Sequence, residues 1–183
     1  MNKIVCLLTT LTASVTLFGQ TPAAAPNNPI SESEKRFYTM LSSVIVAAAE
    51  KMPEESYAFK PTPEVRTFGQ LVGHLADSQY YFCSLASGET APPSHVEKST
   101  TGKAELIAAL KEAVAYCSKR YAAMTDAKGS EMTKLMNFET ARLSVLSGNF
   151  AHIYEHYGNM ATYMRIRGIV PPTSEKKNGS GEN

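Results

Sequence analysis

Two histidines four residues apart, His152 and His156, stand in the segment Asn149-Phe-Ala-His-Ile-Tyr-Glu-His-Tyr-Gly-Asn159. On an α-helix this spacing puts both imidazoles on one face, about 40° apart and about 6 Å along the axis. In that arrangement two imidazoles reach a single metal ion. A third histidine, His74, lies in Thr67-Phe-Gly-Gln-Leu-Val-Gly-His-Leu-Ala-Asp77. Each of the three immediately precedes an apolar seam residue: Leu75, Ile153 and Tyr157. They therefore share one register beside the core, where polar side chains need partners. A divalent metal held by His74, His152 and His156 supplies one. The alternative is that His74 bonds Asp77 one turn on and the pair are ordinary surface or core histidines.

Asp77 and Asn149 are the candidates to orient a ligand imidazole from outside the metal shell. Tyr163 and Arg165, farther along the same helix, either face a pocket or pack. His152-Ile-Tyr-Glu-His156 also matches the His-x-x-Glu-His string of one peptidase class, in which the glutamate is a general base. That class needs a further acidic ligand on a later helix. Here only a helix end, two prolines and a polar tail follow, so the match is read as accidental and Glu155 as a surface or outer-shell residue. His95, in a loop with Pro92 and Pro93, is read as solvated.

The elements that must carry these residues are helices. Leu143, Leu146, Phe150, Ile153, Tyr157, Met160 and Met164 recur at alternating spacings of 3 and 4, a bundle seam. Gly168 and Pro171-Pro172 end that helix. Leu71, Leu75, Ser78, Phe82 and Leu85 make a second seam, opened by the capping-box pattern Thr67 to Gln70 and closed by Gly88. A third helix runs from about Thr101 to Met124 with Leu106, Leu110, Ala113, Cys117, Tyr121 and Met124 inward. The first opens at a Ser31 to Glu34 capping box, turns Phe37, Leu41, Val44, Ala48 and Met52 inward, and closes at Pro53. Tyr57 and Phe59, in the connector that follows, are expected to fold back onto the core. Residues 125–136 read as polar connector, with Asn137 as a cap for the last helix. No strand-like alternation and no internal repeat appears. The pattern predicts an all-α, antiparallel four-helix bundle.

The chain has 183 residues, one domain's worth. Met1-Asn2-Lys3, the apolar run Ile4 to Phe18 and Gly19 read as a secretory signal peptide over residues 1–19. The run is too short for a comfortable membrane span. The expected organisation is leader 1–19, linker 20–30, helical domain 31–172 and a disordered tail 173–183. Export, to the periplasm or beyond, follows from the leader. The 18 basic and 17 acidic residues show no clustering, which argues against nucleic acid and, once the leader is removed, against a membrane surface. A small-molecule or protein partner is the better default. Cys83 and Cys117 remain after processing; an exported protein can join them, but Cys117 sits on an apolar row, which favours inert thiols.

The frame around His74, together with His152-x-x-x-His156-Tyr-Gly-Asn-Met-x-x-Tyr-x-Arg-x-x-Gly-Ile-Val-Pro-Pro172, resembles the DinB-like superfamily over roughly Ser31 to Pro172. The resemblance implies four long helices, a homodimer, and a three-histidine divalent metal site whose ligands by position are His74, His152 and His156. It also implies activities such as thiol-dependent S-transfer or maleylpyruvate isomerase-like chemistry, with a low-molecular-weight thiol held as thiolate. Imidazole suits several metals, so Zn²⁺, Ni²⁺ or Fe²⁺ is expected. Two function classes compete: a metal-dependent transferase- or hydrolase-like enzyme on a small-molecule substrate, and an exported bundle that binds a metal or partner without turnover. A plain bundle with core histidines stands third.

Overall fold

The computed structural model describes residues 27–176. The leader, residues 20–26 of the linker and the last residues of the tail lie outside them. Four long helices build the bundle: α1 (Pro29–Lys51), α2 (Phe68–Ser87), α4 (Lys103–Ala123) and α6 (Arg142–Ile166). Between them lie two single-turn helices, α3 (Val96–Ser99) and α5 (Asp126–Gly129), and a hairpin of β1 (Met132–Leu135) and β2 (Phe138–Ala141). α2 packs on α4 and α6, and α1 packs on the same two, so α1 and α2 are diagonal across the bundle. The α2–α6 contact is the one that positions the histidines. Among the described residues no helix is long and apolar enough to cross a membrane.

Helix ends follow the local chemistry in most places. Thr67 Oγ1 accepts from the Gln70 amide at 3.1 Å and Gln70 Oε1 accepts from the Thr67 amide at 2.8 Å, the reciprocal box expected for α2. After α6, Gly168 takes φ of +75°, which glycine adopts without steric penalty. The Ile169 amide then donates back to Met164 at 2.8 Å and the Gly168 amide to Arg165 at 3.0 Å, a Schellman closure.

The start of α1 differs from the expectation. It begins at Pro29, two residues inside the expected linker, and Ser31 does not cap it. The Ser31 amide and hydroxyl both donate to Asp126 Oδ1 at 2.8 Å. A carboxylate from α5 thus satisfies first-turn donors that the expected Ser31 to Glu34 capping box would have satisfied locally. The inward row of α1 holds at Leu41, Ala48 and Met52, but not at its first member. Tyr38 and Ile45 are fully buried, whereas Phe37 is 53% exposed against Phe150. Tyr38 is admitted because its ring stacks on Tyr121 at 4.0 Å and its hydroxyl donates to Gln79 Oε1 at 3.0 Å. The rows of α4 and most of α6 are buried as the spacing requires, and Tyr57 packs edge-on against Phe68.

Three further expectations are corrected. Residues 132–141 pair as a hairpin in the register Leu135↔Phe138 to Met132↔Ala141, and α6 starts at Arg142 rather than after Asn137. The strands are four residues each and none of their residues is fully buried, so the alternation is too short and too weak to mark them in the sequence. The tail does not leave the fold at Pro172: the Thr173 amide donates to the Tyr157 hydroxyl at 3.2 Å. Cys83 and Cys117 are joined as a disulfide between α2 and α4, with Cα atoms 5.3 Å apart and both residues fully buried. An inward position on an apolar row suits a half-cystine as well as a thiol, which is why spacing did not separate the two. Closing a loop of 34 residues contributes about 3 to 4 kcal/mol in the chain-entropy account.

Candidate metal centre

α2 delivers His74 and α6 delivers His152 and His156 to one point where the two helices face each other. His152 Nε2 lies 3.2 Å from His74 Nε2 and 3.0 Å from His156 Nε2. One nitrogen from each ring falls within 4.8 Å of those of the others. His156 is buried at 7% exposure, while His74 and His152 are half-buried. Metal–imidazole bonds of about 2.1 Å put two nitrogens about 3.4 Å apart at the tetrahedral angle and about 3.0 Å apart at a right angle. The two observed separations fall within that range, so the donor set fits a divalent ion. Among the described residues no fourth histidine, cysteine or carboxylate donor joins the three; a metal held by three protein ligands would keep a coordination position for water or substrate.

Behind His74 stands a residue that the sequence reading did not identify. His74 Nδ1 lies 2.9 Å from Glu97 Oε2, and the other carboxylate oxygen, Oε1, accepts from Arg66 Nε at 2.8 Å. This carboxylate–imidazole pairing leaves His74 Nε2 as the lone-pair donor toward the site and fixes the ring's orientation. Burial would raise the Glu97 pKa, but the Arg66 guanidinium and His74 outweigh it and hold the carboxyl below its ordinary value. Glu97 is brought within reach by α3, which lies directly on α2. A Cβ at position 73 would stand 2.7 Å from Glu97 Cα, so only glycine at that position permits the approach. A glycine inside a helix, one residue before a candidate ligand, was the available signal.

Asp77 is part of this support and does not touch an imidazole. Its Oδ1 accepts from the Val96 amide at 2.9 Å and from the Ser94 hydroxyl, and its Oδ2 from the Glu97 amide at 3.1 Å. It therefore fixes the turn that presents Glu97, and acts on His74 through that turn. Asn149 is elsewhere. It is fully buried, with Nδ2 3.3 Å from Gln79 Oε1 and 3.4 Å from the Tyr121 hydroxyl, beside the disulfide. Tyr163 donates its hydroxyl to the Arg66 carbonyl at 3.1 Å, steadying the strand of connector that carries Arg66. Arg165 turns away to Ser174, and Glu155 and His95 are exposed.

The electrostatics keep the other two imidazoles neutral. Burial, then the neighbouring His156 and His74 and the Arg66 charge, push the His152 pKa down to about 4. Burial and His74 lower that of His156 as well. Neutral imidazole is the form that binds metal. Among the described residues, His152 Nδ1 and His156 Nδ1 are buried without a hydrogen-bond partner.

The bundle gathers three imidazoles from two neighbouring helices into a group that could hold a metal ion. The chain belongs to the DinB superfamily, which residues 39–160 match. Its fold is similar to that of a DinB-like protein from Bacillus cereus (15% identity, 77% of this chain and 95% of that one, TM-score 0.69). A DinB-like protein from Bacillus subtilis is similar at 16% identity over 79% and 99% of the two chains, with a TM-score of 0.63. A mycothiol-dependent maleylpyruvate isomerase is similar at 13% identity over 73% and 65%, with a TM-score of 0.59. No curated protein matches the chain in sequence.

Two outcomes follow from this geometry. Glu97→Ala, in a surface turn, is expected to weaken metal affinity by about 10- to 100-fold without lowering helical content; unchanged affinity in a chelator competition would remove Glu97 from the site. The second concerns pH. An unfolded histidine titrates near 6.5 and folded His152 near 4, so in that window the unfolded chain binds more protons. Stability of the metal-free protein is therefore full above about pH 6.5 and falls as pH drops towards 4. Thermal unfolding of chelator-treated protein should show this slope, and His152→Gln should flatten it.

Proposed function

We propose that this chain is a divalent-metal-dependent enzyme acting on a small molecule, with His74, His152 and His156 holding Zn²⁺, Ni²⁺ or Fe²⁺. The observation that carries the reading is the convergence of three Nε2 atoms, one of them backed by Glu97 and Arg66. When bound, the metal supplies Lewis acidity that lowers the pKa of a thiol or a water beside it.

The chain's own residues bind and orient. His74 is fixed by Glu97, and the centre is flanked by a cleft of about 450 Å³ that reaches His156 and is lined by Arg66, Glu64, Glu155 and Asn159. Charges of both signs in one cleft suit a polar, zwitterionic partner of the kind a low-molecular-weight thiol presents. The fold neighbour that depends on mycothiol supports thiol-dependent chemistry, the class to which thiol transfer belongs. The buried Cys83–Cys117 disulfide supports the expected export into an oxidising compartment, and there it favours the second reading, metal-assisted hydrolysis.

The test combines elemental analysis and calorimetry on protein purified without a histidine tag. Close to one equivalent of metal is expected, lost in His152→Ala, with glutathione binding only to the metal-loaded form. Metal without thiol binding, but with turnover of an activated ester, selects the hydrolytic reading. Absence of metal after reconstitution with zinc, nickel or ferrous iron would sink both.

A further inference from the structure

A second cavity, of about 320 Å³, opens on the opposite flank of the centre, against His74 and His152. Its walls are of a different chemistry from the charged cleft at His156. Its surface is mostly apolar, with Tyr81, Phe82 and Met136 in its walls, and Asp77, its one charged neighbour, already has both carboxylate oxygens hydrogen-bonded to the 94–97 turn. The Phe82 ring lies 5.5 Å from that of His152 and 5.2 Å from that of Tyr81. An aromatic floor thus runs unbroken from the candidate ligand outward.

The far wall is the hairpin. Met136 sits at its turn with φ of +52°, an uncommon backbone conformation for a residue other than glycine, and is 71% exposed. β1 packs against both α2 and α6, the helices that carry the histidines, so the turn is held above them. A long, polarizable thioether at that point is suited to covering a planar apolar group. In the resting fold it covers nothing.

We propose that this cavity receives the apolar arm of the substrate, a group the size of one aromatic ring, whose polar end lies at the three imidazoles. The volume stands at the small end of the range for ligand sites and admits a ring rather than a peptide segment. The occupant is a small molecule because the cavity ends on the imidazoles and its contents adjoin the reacting position. Specificity then comes from Tyr81, Phe82 and Met136, with the hairpin as the recognition element. The inference rests on the metal-enzyme reading only for the location of the polar end.

The experiment uses two hydroxamates that share a metal-binding group and differ in the arm, benzohydroxamate and acetohydroxamate, titrated into Ni²⁺-loaded protein. Partial burial of a ring should make benzohydroxamate bind at least about tenfold tighter. Tyr81→Ser/Met136→Ser alters two exposed side chains and should bring the ratio to within about twofold, with acetohydroxamate unchanged. Equal affinities in the unaltered protein, or a ratio indifferent to the double substitution, would overturn the proposal. If neither hydroxamate binds, the metal reading has failed, and the pocket is tested separately. Benzyl alcohol is then titrated into metal-free protein carrying ¹³C-methyl methionine. A saturable shift of the Met136 signal upholds the pocket; no shift overturns it.

Discussion

Three imidazole nitrogens within 4.8 Å of one another, two of the separations being 3.0 and 3.2 Å, form an arrangement that a protein must impose. With all three rings charged, their mutual repulsion and the desolvation of each would drive the helices apart. With all three neutral, the inward lone pairs have too few protons to share among themselves. Burial resolves the first difficulty by holding His152, and to a lesser degree His156, neutral. A cation at the focus would resolve the second. The register of α2 against α6, the neutrality of the rings and the shape of the two flanking cavities all follow from keeping these nitrogens together.

What holds His74 in that constellation is a chain of small dependencies. Gly73 lets α3 lie on α2, Asp77 caps α3 through the Val96 and Glu97 amides, and Glu97 then meets His74 Nδ1. Arg66 keeps the carboxylate ionised, and Tyr163 of α6 holds the backbone that carries Arg66. The support therefore closes on itself: α6 supplies two imidazoles and also steadies the partner of the third. None of these supporting residues needs to touch a metal to matter for it.

The helices and the three histidines were legible in the sequence because they are periodic. Seams at spacings of 3 and 4 locate a face, and a histidine one residue ahead of a seam residue has its direction fixed. Glu97 was not legible, because its approach depends on a loop turn and on the absence of a side chain at Gly73, neither of which has a period. Asp77 was picked for the right neighbourhood and the wrong contact: helix geometry placed it near His74, but three donors of the following loop reach it instead. Asn149 follows the polar row of α6, yet at that level the row enters the core between α2 and α4. The capping of α1 by Asp126 and the pairing of Cys83 with Cys117 are likewise long-range contacts that local patterns leave open.

The central claim is that three imidazoles share one metal, and X-ray absorption at the edge of whichever metal the protein carries addresses it most directly. The account predicts three nitrogen scatterers at about 2.0–2.1 Å, with the outer-shell pattern of three imidazole rings and a lighter fourth ligand. His74→Ala should reduce the count to two rings. A spectrum with one imidazole or none, or with protein sulfur in the first shell, would contradict the claim.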